Sequence, residues 1–375
     1  MDRLVDGRAG RITPQHSPSE ESPLSVSRSR LLLLSMYPLD QGSWGPTVRI
    51  RHLRDELARH VDLDVVEGYR GARRAALARY AFGGRLRGLD GIYVESSTFL
   101  PAETDIAVLG LARALGIPVL TYIRDAYQLF DDYYRADSVR RWIGARAFIP
   151  AMRALGAVST RLAFPSSGLA RAVVGDAART VLLPPGSPDP VDVPRRPGAH
   201  RLLFVGDARL PAQGADRLVA AIGLARALGV NAELTIVSRP GQEPSPPHPS
   251  WMRIVRAEGD EIVRLLPDVL ATVIPRSRSA YNDLAVPIKL YDYLSYGRPL
   301  LVTDCEEQAA VVRENEAGIV TADDVPAMAE AIGRLASAPG DELDRWSANA
   351  RDAARAGSWS ARATTILRTL GLADA

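Results

Sequence analysis

Strand and helix patterns alternate along this chain, stop at a proline-rich stretch, and start again. The first run opens with RLLLLSMYP from Arg30, an apolar segment of strand length ended by Pro38. TVRIRHLRDELARH follows as an amphipathic helix, with Val48, Leu53 and Leu57 near one face and arginines on the other. VDLDVVEG, GIYVES (91–96), PVLTYIRD (118–125), AVSTRLAFPS (157–166) and RTVLLPPG (179–186) continue the strand series, separated by helical stretches such as ETDIAVLGLARALG. PPGSPDPVDVPRRPGAH (184–200) interrupts the rhythm and reads as an interdomain linker. Beyond it the strands RLLFVGD, AELTIVSR, WMRIVRAE, VLATVIPRS and PLLVTD alternate with helices once more. Such alternation builds a parallel sheet covered by helices on both faces. Two doubly wound α/β units are therefore expected, over 30–190 and 197–354, with a helical segment at 355–375. Sheets of this kind hold ligands at the carboxyl ends of their strands, so the natural site is the cleft between the two units.

The remaining composition narrows the function classes. With 375 residues, 46% hydrophobic and 24% charged, the chain is of ordinary globular make-up and about two domains long. A net charge of +2 with interleaved acids and no long basic run argues against a nucleic-acid binder. The single cysteine, Cys305, excludes an internal disulfide and a cysteine-cluster metal site. Residues 1–29, rich in Ser, Pro and Arg, read as a disordered leader. LLLLSMYPL is far too short to span a bilayer and lacks the flanks of a signal peptide, so the reading is cytoplasmic. SVRRWIGARAFIPAMRAL (138–155) is basic and amphipathic. It leaves open a peripheral contact with the inner face of the cell membrane, against the alternative of a core-facing helix with a solvated arginine face.

Three segments carry chemistry. DQGSWGPTVRIRHL places Gly42 and Gly45 between a buried strand and a helix, where backbone can approach an anion at a helix N-terminus. It lacks G-x-G-x-x-G, which argues against a dinucleotide-binding oxidoreductase. FVGDARLPAQGADRL repeats the strand–glycine–helix theme with Gly206, Arg209, Gln213 and Gly214, and an arginine fork suits phosphate oxygens. PIKLYDYLSYGRP (287–299) contains the only lysine of the chain, Lys289; the other 45 of the 46 basic residues are arginines. Lys289 and Asp292 stand three apart on one helical face. That spacing suits either a surface ion pair or a paired contact to a diphosphate and a ribose diol. The uniqueness of the ammonium favours the second.

These segments carry a resemblance. FVGDARLPAQGADRLVAAI, PIKLYDYLSYGRPLLVTDCEEQAAVVRENEAGIVTADDVPAMAEAI and GSWSARATTIL are similar to the nucleotide-sugar-binding half of the retaining GT-B glycosyltransferases. YIRDAY (122–127) and the glycine loop at 42–45 extend the resemblance loosely into the first half. It implies a GT-B fold: two doubly wound Rossmann-like domains facing across a cleft, the terminal helix crossing back to the first. It also implies a nucleotide-diphosphate-sugar as substrate, with no cofactor and no metal.

Carried over residue by residue, the resemblance implies a donor site. Asp292 takes the place of the family's ribose-binding Glu. Lys289 falls on the family's lysine, with Leu290 beside it. Arg209 matches a diphosphate-binding Arg, whereas Gln213 replaces the accompanying Lys and removes one charge. Gly42, Gly45 and Gly206 complete the donor set. The family's first acid, eight residues before the second, falls on Leu284, with Asp283 one residue away. Arg124 and Asp125 stand where many relatives carry a reacting-centre His, and are the catalytic candidates; Asp125 would orient the acceptor hydroxyl. The acid pair in FDD (130–132) reads as exposed rather than metal-binding. The acceptor is open between a lipid-linked molecule and a small metabolite. The departures at Gln213 and Leu284 keep a second reading open, a non-catalytic nucleotide-sugar-binding partner subunit.

Overall fold

The computed structural model describes residues 28–39, 45–98, 100–131, 133–135, 137–175 and 179–373. The leader, apart from Arg28 and Ser29, and Gly42 lie outside the described residues.

The first domain runs β1 (Arg30–Ser35), α1 (Gly45–His60), β2 (Asp62–Val66), α2 (Arg70–Phe82), β3 (Gly91–Glu95), α3 (Glu103–Ala114), β4 (Val119–Tyr122), α4 (Val139–Val158), β5 (Arg161–Phe164), α5 (Ser167–Val174) and β6 (Thr180–Leu182). All its strand pairs are parallel, in the order β2-β1-β3-β4-β5-β6. The four leucines of β1 show why the strand forms. Leu32 and Leu34 enter the core on one face, Leu31 and Leu33 the core on the other. Side chains alternate along a strand, so a continuous apolar run is what a sheet covered on both faces requires.

The second domain runs β7 (Arg201–Val205), α6 (Ala215–Ala227), β8 (Glu233–Val237), β9 (Met252–Val255), α7 (Asp260–Val263), β10 (Val269–Ile274), α8 (Ala280–Leu284), α9 (Ile288–Ser295), β11 (Leu300–Thr303), α10 (Glu306–Glu314), β12 (Gly318–Thr321), α11 (Val325–Ser337) and α12 (Gly340–Ala356). Its parallel order is β12-β11-β10-β7-β8-β9. The chain leaves β7 toward β8 and β9, then returns to add β10 on the other side. Between the carboxyl ends of β7 and β10 lies the switch point where such sheets accept ligands. Gly206 follows β7, and Arg276 follows β10.

The two domains share their last helix. α13 (Trp359–Leu370) buries Trp359, Ile366, Leu367 and Leu370 against Leu31, Leu33, Ile50 and Leu53 of the first domain. Each such side chain removed from water is worth roughly 1.5–3 kcal/mol, so the crossing is a strong tie. It meets the outgoing linker at Ser187, whose amide donates to the Gly357 carbonyl at 2.9 Å and whose carbonyl accepts from Trp359 at 3.2 Å. A Cβ on Gly186 would lie 2.4 Å from the Trp359 ring, so only glycine lets the two crossings lie this close.

Arg298 explains the arginine of the GRP turn that ends α9. Fully buried, it donates to the carbonyls of Leu266, Val269, Gly297 and Val193, at 2.8 to 3.2 Å. One side chain thereby binds the β10 approach, the α9 exit and the linker. Burial, with Arg195 and Arg351 near, lowers its pKa to about 10.

Candidate active site

A cleft of about 1300 Å³ separates the domains. Its second-domain wall is built at the switch point. Gly206 leaves β7 with φ +147°, a conformation that L side chains rarely adopt. Lys289, in the first turn of α9, reaches over the Phe204 ring at 4.6 Å and donates to Gln213 Oε1 at 2.6 Å. Burial pushes its ammonium down to about 7, and the Arg276 charge adds to the effect. Arg276 is buried and held by the Ala285 carbonyl at 2.9 Å and by Asn282 Oδ1. Asp292 lines the same wall one turn along α9, and burial pushes its carboxyl up to about 6. The N-terminal end of α9 itself, from Pro287 to Lys289, opens into the cleft. Its leading amides precede the first intrahelical acceptor, which makes it a binding edge for an anion.

The first-domain wall carries Arg124 and Asp125, just past β4. Asp125 accepts three bonds. Arg124 Nε reaches Oδ2 at 2.9 Å, the Tyr127 hydroxyl reaches Oδ2 at 2.9 Å, and the Tyr281 hydroxyl reaches Oδ1 at 2.8 Å. Tyr281 belongs to α8 of the second domain and sits among Tyr127, Phe130 and Tyr133, with ring centroids 4.4 to 5.7 Å away. Burial and the Asp125 charge hold its phenol well above the ordinary value. Next along α8, Asn282 Oδ1 accepts from both Arg276 and, at 2.8 Å, the Tyr133 hydroxyl. The second-domain wall is thus bonded to the first domain by a five-residue helix. Deeper in the first-domain wall, Arg49 is buried over the Tyr122 ring at 3.9 Å, with its Nε 3.1 Å from Glu95. His52 stacks on Trp359 at 5.0 Å, and burial lowers its pKa.

The residues singled out from the sequence are distributed unevenly. Lys289, Asp292, Gln213 and Gly206 meet on one wall, and Arg124 and Asp125 stand on the other. Lys289 and Asp292 share a face, but among the described residues they are not paired; the lysine bonds to Gln213 instead. Gln213, expected as a lost charge, is a hydrogen-bond partner of the remaining one. Arg209 does not join them. It is exposed and lies outside the cleft lining, because the loop turns its backbone toward Asp207, whose Oδ1 takes the Arg209 amide at 3.0 Å. The cation beside Lys289 is Arg276. The Gly206 amide is also spent, on the Val237 carbonyl at 2.9 Å. Leu290 points the other way along α9 and is fully buried with Ile274 and Leu294. Gly45 is the first residue of α1. Asp283 pairs with Arg278 at 2.9 Å and lies outside the cleft lining. Of the FDD acids, Asp131 is exposed and Asp132 lies outside the described residues. Among the described residues no group of three or more His, Cys, Asp or Glu could hold a metal ion.

Sequence reasoning missed Arg276, Tyr281 and Asn282. Their one available signal was position: they follow β10 at the switch point, where a loop residue is worth more attention than its type suggests.

With the wall around Lys289 defined, the second domain can be compared with known proteins. Residues 199–338 match the family Glycosyl transferases group 1. The match runs from just before β7 to the end of α11 and contains the Gly206, Arg276 and Lys289 wall. The whole chain has the GT-B fold of several solved structures. A UDP-forming α,α-trehalose-phosphate synthase from Burkholderia xenovorans, in complex with glucose-6-phosphate, is 12% identical with a TM-score of 0.58, covering 91% of this chain and 100% of that one. A sucrose-phosphate synthase from Thermosynechococcus elongatus is 16% identical with a TM-score of 0.61, over 91% and 98%. An Anabaena protein, HepE, in complex with UDP and glucose, is 14% identical with a TM-score of 0.60, over 92% and 100%. No curated protein matches the sequence.

Proposed function

We propose that the chain is a retaining glycosyltransferase that moves a sugar from a nucleotide-diphosphate-sugar to an acceptor hydroxyl without a metal ion. The observation that carries this is the chain's one lysine, set beside Arg276 at the switch point of a group 1 domain and facing the cleft. The UDP and glucose bound by the Anabaena protein support the donor class.

In this reading the donor diphosphate lies at the N-terminus of α9, between Lys289 and Arg276. Negative charge builds on the departing phosphate oxygen as its bond to the anomeric carbon breaks. Arg276 and the α9 dipole are fixed beforehand at that point, and Lys289 takes up its proton as the diphosphate binds, so the charge is in place where it lowers a barrier. They can supply the neutralisation that a divalent ion supplies elsewhere. Asp292 accepts from the ribose hydroxyls. The acceptor hydroxyl attacks from the face the leaving group departs, and its proton passes to the leaving phosphate oxygen. Asp125, already oriented by three donors, holds the acceptor in place.

Thermal-shift screening with UDP, GDP, ADP, CDP and TDP, followed by NMR of the product anomer with and without EDTA, tests the reading. Stabilisation by one nucleoside diphosphate and a product of retained configuration in EDTA are expected. An inverted product, or loss of turnover on chelation, sinks the corresponding part. The second reading, a non-catalytic subunit, is favoured by Gln213 in place of a second lysine. It predicts donor binding with no turnover until a partner protein is added.

A further inference from the structure

α4 presents two apolar stripes rather than one. Phe148, Met152 and Leu155 pack into the first-domain core. Val139, Trp142 and Ile143 are 76%, 50% and 51% exposed. At 100° per residue, the centre of the second stripe lies about 160° round the helix from the first. The expected core-facing helix with a solvated arginine face is therefore only half of what is found. Its outer face begins with an aliphatic and aromatic cluster that the described residues leave uncovered.

The charge of this helix is one-sided. Within Val139–Val158 stand Arg140, Arg141, Arg146 and Arg153, and no acid. Arg146 lies over the Trp142 ring at 4.9 Å, on the exposed face, and Arg141 pairs with Asp137 just before the helix. A tryptophan under the Arg146 guanidinium, with exposed Arg153 seven residues further along the same helical face, matches the boundary of a bilayer, where rings enter the headgroup layer and guanidiniums meet lipid phosphates. A protein partner would need to supply both an apolar groove and excess acid; an anionic bilayer supplies the two together.

α4 follows the cleft wall in the chain: Asp125 and Tyr127 precede it, and the Tyr134 hydroxyl lies 3.1 Å from where a Cβ on Gly144 would stand. We infer that the outer face of α4, led by Val139, Trp142 and Ile143, docks this protein on an anionic membrane surface. Docking does not depend on the transferase reading and is measured without turnover.

Co-sedimentation with vesicles of phosphatidylcholine alone, or with about a third phosphatidylglycerol, tests it at low and raised salt. The full chain should partition at least about tenfold more strongly onto the anionic vesicles, and salt should weaken this. The double variant Trp142→Ser, Ile143→Ser should lose about tenfold, while its thermal shift with nucleoside diphosphates stays that of the parent. Arg146→Gln with Arg153→Gln should remove most of the preference for anionic lipid. Equal binding by parent and Trp142/Ile143 variant overturns the inference. So does a parent dimer, seen by sedimentation velocity, that the same variant dissolves, since the stripe would then be a subunit interface.

Discussion

Tyr281, on the second domain, donates its hydroxyl to Asp125 on the first at 2.8 Å, and so fastens the two walls of the cleft at the carboxylate assigned to the acceptor. Asp125 keeps its other two donors, Arg124 and Tyr127, within the first domain. Separation of the domains would therefore remove one bond of three and leave the carboxylate held but less confined. If Asp125 holds the acceptor as proposed, domain separation would loosen it through the Tyr281 phenol.

Tyr281→Phe retains the ring among Tyr127, Phe130 and Tyr133 and deletes only the bond. A hydrogen bond to a charged group is worth about 1.5–3 kcal/mol, so turnover should fall about 10- to 100-fold. Donor affinity should stay within about twofold, because Tyr281 is outside the Lys289 wall. Steady-state kinetics decide it: a loss confined to donor KM would contradict the role given to Tyr281.

Lys289→Ala should weaken nucleoside-diphosphate binding by about 1–3 kcal/mol in calorimetry. The parent should also show a proton taken up on binding. Its free lysine, lowered to about 7, is half deprotonated at neutral pH, and a bound diphosphate restores the charge. Affinity should fall by up to about one log unit per pH unit above 7, and the dependence should vanish in the alanine variant. A flat profile in the parent is the contrary result.

Asp292→Asn should raise stability in the absence of ligand. The carboxyl is raised to about 6 in the folded chain, above its unfolded value near 4. The folded state thus binds more protons between pH 4 and 6, so stability declines as pH rises through that window and the full cost remains above it. Two units correspond to about 3 kcal/mol, and partial solvent access reduces this to about 1–2 kcal/mol. Denaturant melts should show the gain at pH 7.5 and little at pH 4. Equal gains at both would place the effect elsewhere.

Arg298→Met removes the donors to four carbonyls, through bonds that are buried except the part-buried one to Val193. Orphaned buried acceptors cost about 1–3 kcal/mol each before relaxation, so a loss of at least about 3 kcal/mol is expected in chemical unfolding. A melting temperature like the parent's would show that the arginine is not the clamp inferred.

Much of the fold could be read in advance, and the reasons are local. RLLLLS had to be a strand covered on both faces, and the proline-rich 184–200 stretch did prove to join two parallel sheets. α9 ends where its glycine demands, Gly297 standing at φ +57°. The placement of Lys289 in the cleft could also be reached from its singularity among arginines. Arg209 could not be placed, because the direction of a loop side chain is set by the loop's own turn, here the Asp207 carboxylate taking the Arg209 amide, and leaves no periodic pattern. Leu290, adjacent to Lys289, faces the core for the ordinary reason that successive helical residues point about 100° apart.

Periodicity, turn residues and one rare amine are properties of neighbours along the chain, and from them came the two α/β units, the linker and the helix that carries Lys289 into the cleft wall. Arg276 beside Lys289, Gln213 beneath it, and Tyr281 reaching Asp125 across 156 residues are properties of neighbours in space. Which charges meet at the switch point, and which phenol closes it, is decided only when both sheets have formed and stand face to face, because that juxtaposition is what brings distant side chains within hydrogen-bonding range.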